Sequence, residues 1–153
     1  MLEIGDIAPD IQLEPGSLYE LLDRGPVVVY FYPADFSPVC TAQACMIRDL
    51  YSELAAAGIT VIGVSPQGKS MHDRFKSMNR LPFHLVADAG MKVTRAYKSM
   101  GMFGLPIPFG VRRVTYLIGK DRRVLDRATG ELGIGAHSRM IKAAAAGGSK
   151  PQA

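Results

Sequence analysis

Two cysteines and three histidines are all that these 153 residues hold. His72, His84 and His137 fall in different predicted elements, without ligand spacing among themselves or with the cysteines, so no metal centre is expected. No run approaches the roughly 18 apolar residues of a membrane helix. The start, Met1 to Asp6, lacks the basic residues and apolar core of a secretory signal. The expected location is therefore the cytoplasm, where a lasting structural disulfide is disfavoured and a catalytic one is allowed. Basic residues exceed acidic ones only slightly, 18 against 14. Apart from the pairs Arg112-Arg113 and Arg122-Arg123 they are scattered, with no aromatic-laced basic stripe, so nucleic acid is not an expected partner. There is no internal repeat and no linker. A hydrophobic share of 48% with 21% charged residues suits an ordinary globular protein. One domain is expected over residues 1–146, with a disordered tail over 147–153.

Both cysteines lie in one stretch, from Tyr30 to Cys45. Val27 to Tyr32 is β-branched and aromatic throughout, as expected of a strand covered on both faces. Pro33 and Pro38 punctuate a loop. From Thr41 the residues turn to helix formers, with Ala42, Cys45, Met46 and Leu50 giving a 3–4 apolar repeat. Cys40 thus falls at the first turn of a helix, just past the carboxyl end of a strand, where α/β sheets bind ligands. The unpaired N–H groups and dipole there stabilise an anion, and the thiolate is the reactive form of cysteine. Ser37, three residues earlier, either caps the helix or turns its hydroxyl toward the sulfur. The alternative is that Ser37 is only a cap and Cys40 a small buried hydrophobe.

Cys40 and Cys45 are i and i+5, so an intact helix separates their Cα atoms by about 8–9 Å. A disulfide needs less than roughly 7 Å. The pair is therefore no rigid staple: the two thiols are unrelated, or they join transiently while the helix start unwinds.

The rest of the chain reads in order as an irregular arm with an extended piece at Ile11–Leu13, then a short helix from Leu18 to Asp23 capped by Ser17. After the cysteine-bearing helix, which ends at Ala55–Gly58, Ile59 to Ser65 forms a second buried strand. The strand–helix–strand unit is right-handed and its strands are parallel. A helix capped by Ser70 runs to about Met78, Phe83 to Val86 is a short strand, and Met91 to Tyr97 a helix. Lys98 to Gly110 is an apolar loop. Val111–Ile118 and Arg123–Ala128 pair as an antiparallel hairpin, and a last helix begins near Ala136.

The segment Phe31-Tyr32-Pro33-Ala34-Asp35-Phe36-Ser37-Pro38-Val39-Cys40-Thr41-Ala42-Gln43-Ala44-Cys45, with Arg48-Asp49, closely resembles the active site of the peroxiredoxins, in the bacterioferritin-comigratory-protein (PrxQ) branch. There a P-x-x-x-[TS]-x-x-C motif is followed five residues on by a second cysteine. Gly5–Asp10 resembles the family's opening, Gly63-Val64-Ser65, Leu81-Pro82-Phe83 and Asp88 its middle, and Arg113–Ile118 the strand delivering its arginine.

This resemblance implies a thioredoxin fold, on which the strand and helix order agrees, with a helical insertion between its halves. It implies Cys40 as the peroxidatic cysteine and Cys45 as the resolving one. Pro33 would shield the thiolate, Ser37 would bond the peroxide oxygens, and Arg113 would favour the thiolate and polarise the peroxide, with Arg112 facing the surface. Gln43 stands where the family commonly has glutamate and Val39 where this branch often has glycine. Asp35 and Phe36 would set the loop, and Gln43 and Arg48 would steady the first turns or be solvated. The implied reaction reduces hydrogen peroxide or organic hydroperoxides with no cofactor. Thioredoxin or a glutaredoxin-like protein recycles the enzyme, which is expected to be a monomer or weak dimer. The loop bearing Met100, Met102, Phe103, Leu105, Ile107 and Phe109 either packs on itself or lines the peroxide entrance. Two other functions fit less closely: a thiol–disulfide oxidoreductase, which normally uses Cys-x-x-Cys, and a non-catalytic binding or holdase protein working through that apolar loop.

Overall fold

A computed structural model describes residues 1–101, 110–130 and 133–147. Most of the apolar loop, including Met102, Phe103, Leu105, Ile107 and Phe109, lies outside the described residues, as does the tail from residue 148. The elements in chain order are α1 (Leu18–Leu22), β1 (Val27–Phe31), α2 (Pro38–Asp49), α3 (Tyr51–Ala56), β2 (Thr60–Ser65), α4 (Lys69–Asn79), β3 (His84–Ala87), α5 (Lys92–Ala96), β4 (Val114–Ile118), β5 (Val124–Thr129) and α6 (Gly135–Ala145).

The strands form one sheet in the order β3-β2-β1-β4-β5. β1 pairs parallel with β2, and β2 with β3, while β4 runs antiparallel to β1 and β5. β1 is central and wholly buried, which is why its sequence carries no polar alternation. Its side chains divide by the pleat. Val27, Val29 and Phe31 enter a core shared with α1, Val114 and Tyr116, whereas Val28 and Tyr30 enter a second core with Cys40, Ala44 and Ile47 of α2 and Met140 and Ile141 of α6. The β1-α2-α3-β2 unit, the β4–β5 hairpin and α6 make a thioredoxin fold, with α4, β3 and α5 inserted between its halves.

Four local expectations are corrected. The cysteine-bearing helix is interrupted at Leu50, whose amide is shared between Met46 O (3.2 Å) and Ile47 O (3.1 Å). Its buried face is Cys40, Gln43, Ala44 and Ile47, with Ala42 exposed and Cys45 and Met46 half-buried; a polar glutamine in the core hid this face from the apolar repeat. α4 begins at Lys69 with Gly68 at its N-cap, so Ser70 lies inside the helix and caps nothing. The first hairpin strand starts at Val114, and Val111 makes only an isolated bridge to Met100.

Candidate active site

The loop from Tyr32 to Ser37 joins the end of the central strand to α2, and its conformation decides where Cys40 sits. Ser37 is the N-cap: its Oγ accepts from Cys40 N at 3.3 Å and donates to Ala34 O at 3.3 Å. Pro38 takes the first helical position, where a missing N–H costs nothing. Cys40 is therefore in the first turn, with its thiol at the positive end of the helix dipole. It is 1% exposed. Phe36 holds φ at 65°, a left-handed conformation that a bulky residue adopts only when its surroundings impose it.

Arg113 reaches Cys40 from the residue preceding β4. Its Nη2 donates to Sγ at 3.3 Å and its Nη1 to Gln43 Oε1 at 2.8 Å. Arg113 is 3% exposed, so its charge acts through little water. Arg112 is half-buried rather than on the surface, with its amide bonded to Ser99 O at 2.8 Å. Gln43 is fully buried one helical turn beyond Cys40 and links Arg113 to a chain of polar groups. Its Nε2 donates to Thr115 Oγ1 at 3.3 Å, Thr115 Oγ1 lies 2.7 Å from His137 Nδ1, and His137 Nε2 lies 3.2 Å from Gly130 O. A neutral ring satisfies every link and gives the Thr115 hydroxyl proton an acceptor. His137 carries its proton on Nε2 for the carbonyl, and Nδ1 accepts from Thr115, whose oxygen accepts from Gln43. His137 is thus neutral, in keeping with a pKa lowered by burial first and by Arg113's charge, against the Gly130 carbonyl. Surface solvation of Gln43 is excluded.

Behind the thiol, Tyr30 and Tyr32 stack with ring centroids 5.3 Å apart. Burial foremost raises both phenol pKa values, with neighbouring negative charge adding to it, so both stay protonated. Tyr32 OH donates to Asp35 Oδ1 at 2.7 Å. Asp35 Oδ2 in turn meets His72 Nδ1 at 2.5 Å, a contact between the catalytic-side loop and α4 that local sequence does not announce. Gln67 completes the bracing: Nε2 donates to Pro33 O at 3.3 Å and Oε1 accepts from Asp35 N at 3.0 Å. Pro33 itself is half-buried at the head of the loop.

Cys45 is half-buried on the side of α2 facing α4, where its Sγ lies 3.7 Å from Asn79 Oδ1. Arg48 Nη1 donates to Asn79 O at 2.8 Å, so α2 is fastened to the C-terminal end of α4 just beside the second thiol. Both cysteines are free. With α2 intact across both, they cannot join without unwinding between them.

The structure thus gathers Cys40, Ser37 and Arg113 at one point, with Pro33 at the head of the loop, and holds Cys45 about a turn and a half farther along the helix. Nothing in the local sequence marks Asn79, and His72 and His137 stand out there only as histidines without ligand spacing; both are buried and bonded. Among the described residues no three His, Cys, Asp or Glu side chains cluster as metal ligands, and no helix is long and apolar enough to cross a membrane.

Comparison with known proteins gives a consistent answer. The family model described as the AhpC/TSA family matches residues 4–127. Peroxiredoxin Bcp of Bacillus subtilis is 38% identical over 131 residues, spanning 81% of this chain and 83% of that protein. A putative peroxiredoxin of Mycobacterium tuberculosis is 34% identical over 143 residues, 90% of this chain and 92% of that protein. Among solved structures, the crystal structure of peroxidoxin BcpB from Mycobacterium tuberculosis superposes with a TM-score of 0.85 at 32% identity, covering 96% of this chain and 98% of that one. A thiol at a helix start beneath a buried arginine, on this fold and with these relatives, has one reading: the chain belongs to the AhpC/TSA family, as a peroxiredoxin of the Bcp/PrxQ branch.

Proposed function

We propose that this protein is a thiol-dependent peroxidase in which Cys40 is the peroxidatic residue. The observation that carries the reading is the buried Cys40 Sγ, in the first turn of α2 with Arg113 Nη2 at 3.3 Å. The Cys40 thiolate attacks one oxygen of a hydroperoxide. The S–O bond forms as the O–O bond breaks, sulfur loses two electrons, and the departing oxygen leaves as water or an alcohol after taking a proton. Arg113 stabilises the thiolate and the negative charge developing on the leaving oxygen. Ser37, whose Oγ lies 3.3 Å from Cys40 N, bonds the peroxide oxygens, and Pro33 walls the site from solvent.

The sulfenic acid on Cys40 then condenses with the Cys45 thiol, releasing water. This requires the first turns of α2 to unwind and Cys45 to leave Asn79. A thioredoxin-type dithiol, thioredoxin itself or a glutaredoxin-like protein, reduces the disulfide by exchange. Residues 1–146 act as one unit, monomeric in the cytoplasm. The Bcp protein of Xanthomonas campestris has been studied for alkyl peroxide reduction, and organic hydroperoxides are proposed as substrates here alongside hydrogen peroxide.

One equivalent of hydrogen peroxide added to the reduced protein, with thiols trapped by an alkylating agent and intact mass followed in time, tests the scheme. Loss of two hydrogens with both thiols blocked is expected. Cys45→Ser should instead stop at a gain of one oxygen on Cys40. Absence of any change within minutes would refute the peroxidase reading.

A further inference from the structure

His72 lies on α4, 2% exposed, and among the described residues every atom its ring nitrogens bond is an acceptor. Nδ1 meets Asp35 Oδ2 at 2.5 Å, and Nε2 meets Val86 O at 3.0 Å and Ser65 O at 3.3 Å. Carbonyl oxygens cannot donate, so Nε2 carries a proton. The short contact at Nδ1 holds a second one, shared with a carboxylate. Asp35 Oδ1 already accepts from Tyr32 OH at 2.7 Å, so both of its oxygens serve as acceptors and that proton stays on the ring. His72 is therefore an imidazolium clamped between the loop after β1, the end of β2 and β3.

We infer that His72 is a positioning residue for peroxide reduction, its imidazolium fixing through Asp35 the loop that seats Cys40. The inference rests on Cys40 being the reacting thiol. The loop needs such an anchor because Phe36 is held in a left-handed conformation that it would not keep alone. Asp35 restrains it on one side, and the Phe36 ring packs edge-on against Phe75, also on α4, at 5.2 Å on the other. Ser37 follows directly and caps the helix at Cys40. Release of Asp35 thus shifts the cap, the thiol and the approach to Arg113 together.

Burial opposes the charged ring, but the hydrogen bond and charge of Asp35 and the two carbonyls outweigh it, and the pKa of His72 is raised above the ordinary histidine value. Other charged groups nearby are Lys69, Asp73 and Lys76 on α4, His84 on β3 and Glu14 on the opening arm, which border the cleft beside His72. Lys69 and Asp73 neutralise one another at 2.7 Å, and both are exposed. Asp35 is thus the carboxylate that bonds the ring. A neutral ring keeps a single N–H, so deprotonation of His72 sets a nitrogen lone pair against either the Asp35 carboxylate or the Val86 and Ser65 carbonyls; the clamp loses one side, and the loop moves off.

The protein has three histidines, so nitrogen-15 labelling of histidine gives a spectrum that single substitutions assign. At pH 7 both His72 ring nitrogens should resonate as imidazolium; a neutral ring there overturns the inference. The second-order rate of Cys40 oxidation, followed from pH 6 to 10, should show a falling limb at the pH where His72 titrates. A drop of about tenfold or more is expected, since a displacement near 1 Å can cost on the order of 10²-fold. His72→Asn, whose amide donates to Asp35 without titrating, should lose that limb. Peptide mapping of the oxidised residue in the same samples separates the two readings. Oxygen on a residue other than Cys40 overturns the proposed function. Cys40 oxidation with superimposable profiles for wild type and His72→Asn overturns the role of His72 alone.

Discussion

Arg113→Met removes a charge that lies 3.3 Å from Cys40 Sγ on a residue that is 3% exposed. Unit charges at that distance attract by about 5 kcal/mol at an effective dielectric near 20. Part of this stabilises the resting thiolate and so does not lower the barrier for the thiolate form. The part acting on charge that develops at the leaving oxygen resembles an oxyanion donor, worth about 3 kcal/mol or 10²–10³-fold in rate. Two reactions on the same variant separate these effects. Alkylation of Cys40 by iodoacetamide near neutral pH reports thiolate reactivity without a peroxide, whereas rapid-quench oxidation by hydrogen peroxide reports both. The peroxide rate should fall by the full 10²–10³-fold and the alkylation rate by distinctly less. Arg113→Lys keeps a charge but cannot serve Sγ and Gln43 Oε1 together, and its peroxide rate should lie between the two. A peroxide rate within about threefold of wild type in a folded Arg113→Met protein would refute the role. Equal losses in both reactions would refute its action on the peroxide.

Ser37→Ala removes the side-chain acceptor for Cys40 N and should cost about 1 kcal/mol in chemical denaturation, with Ser37→Thr near wild type; an unchanged midpoint in Ser37→Ala would refute the capping role. Asn79→Ala frees the Cys45 thiol from its 3.7 Å contact. With a weak bond of roughly 0.5–1 kcal/mol lost, rapid-quench measurement of the Cys40–Cys45 disulfide should show formation about two- to fivefold faster, and a slower or equal step would count against Asn79 as a restraint. The two buried histidines should bend the pH–stability curve in opposite directions. His137 has a lowered pKa, so the unfolded chain takes up its proton first and stability falls as pH drops below about 6.5. His72 has a raised one, so its contribution is complete below about 6.5 and is lost as pH rises through its folded value. Melting temperatures across pH for His137→Asn and His72→Asn should flatten the acid and alkaline limbs respectively; the reverse pairing would refute both assignments.

The parts of this site carried by neighbours in sequence were legible, and those made by long-range contact were not. Ser37 and Cys40 stand three residues apart across a loop-to-helix junction, so capping logic locates both. Arg113 was singled out by its frame with Thr115 and Tyr116, and it is the arginine that meets Cys40. Gln43 defeated periodicity because its burial is compensated by Arg113 and Thr115, some 70 residues away. The same holds for His72 and Asp35, 37 positions apart: Asp35 reads as a loop-setting residue and His72 as a histidine without ligand spacing, and only the docking of α4 against the loop pairs them away from water. Ser70 looked like a cap because serine favours that place, but Gly68 already supplies the extended backbone from which α4 starts.

The interruption at Leu50 bears on how much of the protein must come apart in each catalytic cycle. α2 is 12 residues long and carries both thiols, whereas α3 beyond the break anchors itself through Leu54 in the core. Fraying that begins at Pro38 meets a discontinuity in the hydrogen-bond ladder before it reaches α3. The cooperative unit of opening is thereby bounded to one short helix. Mobility and integrity are assigned to adjacent segments of what sequence alone reads as a single helix, so a thiol can travel several ångströms while the sheet beneath it keeps its register.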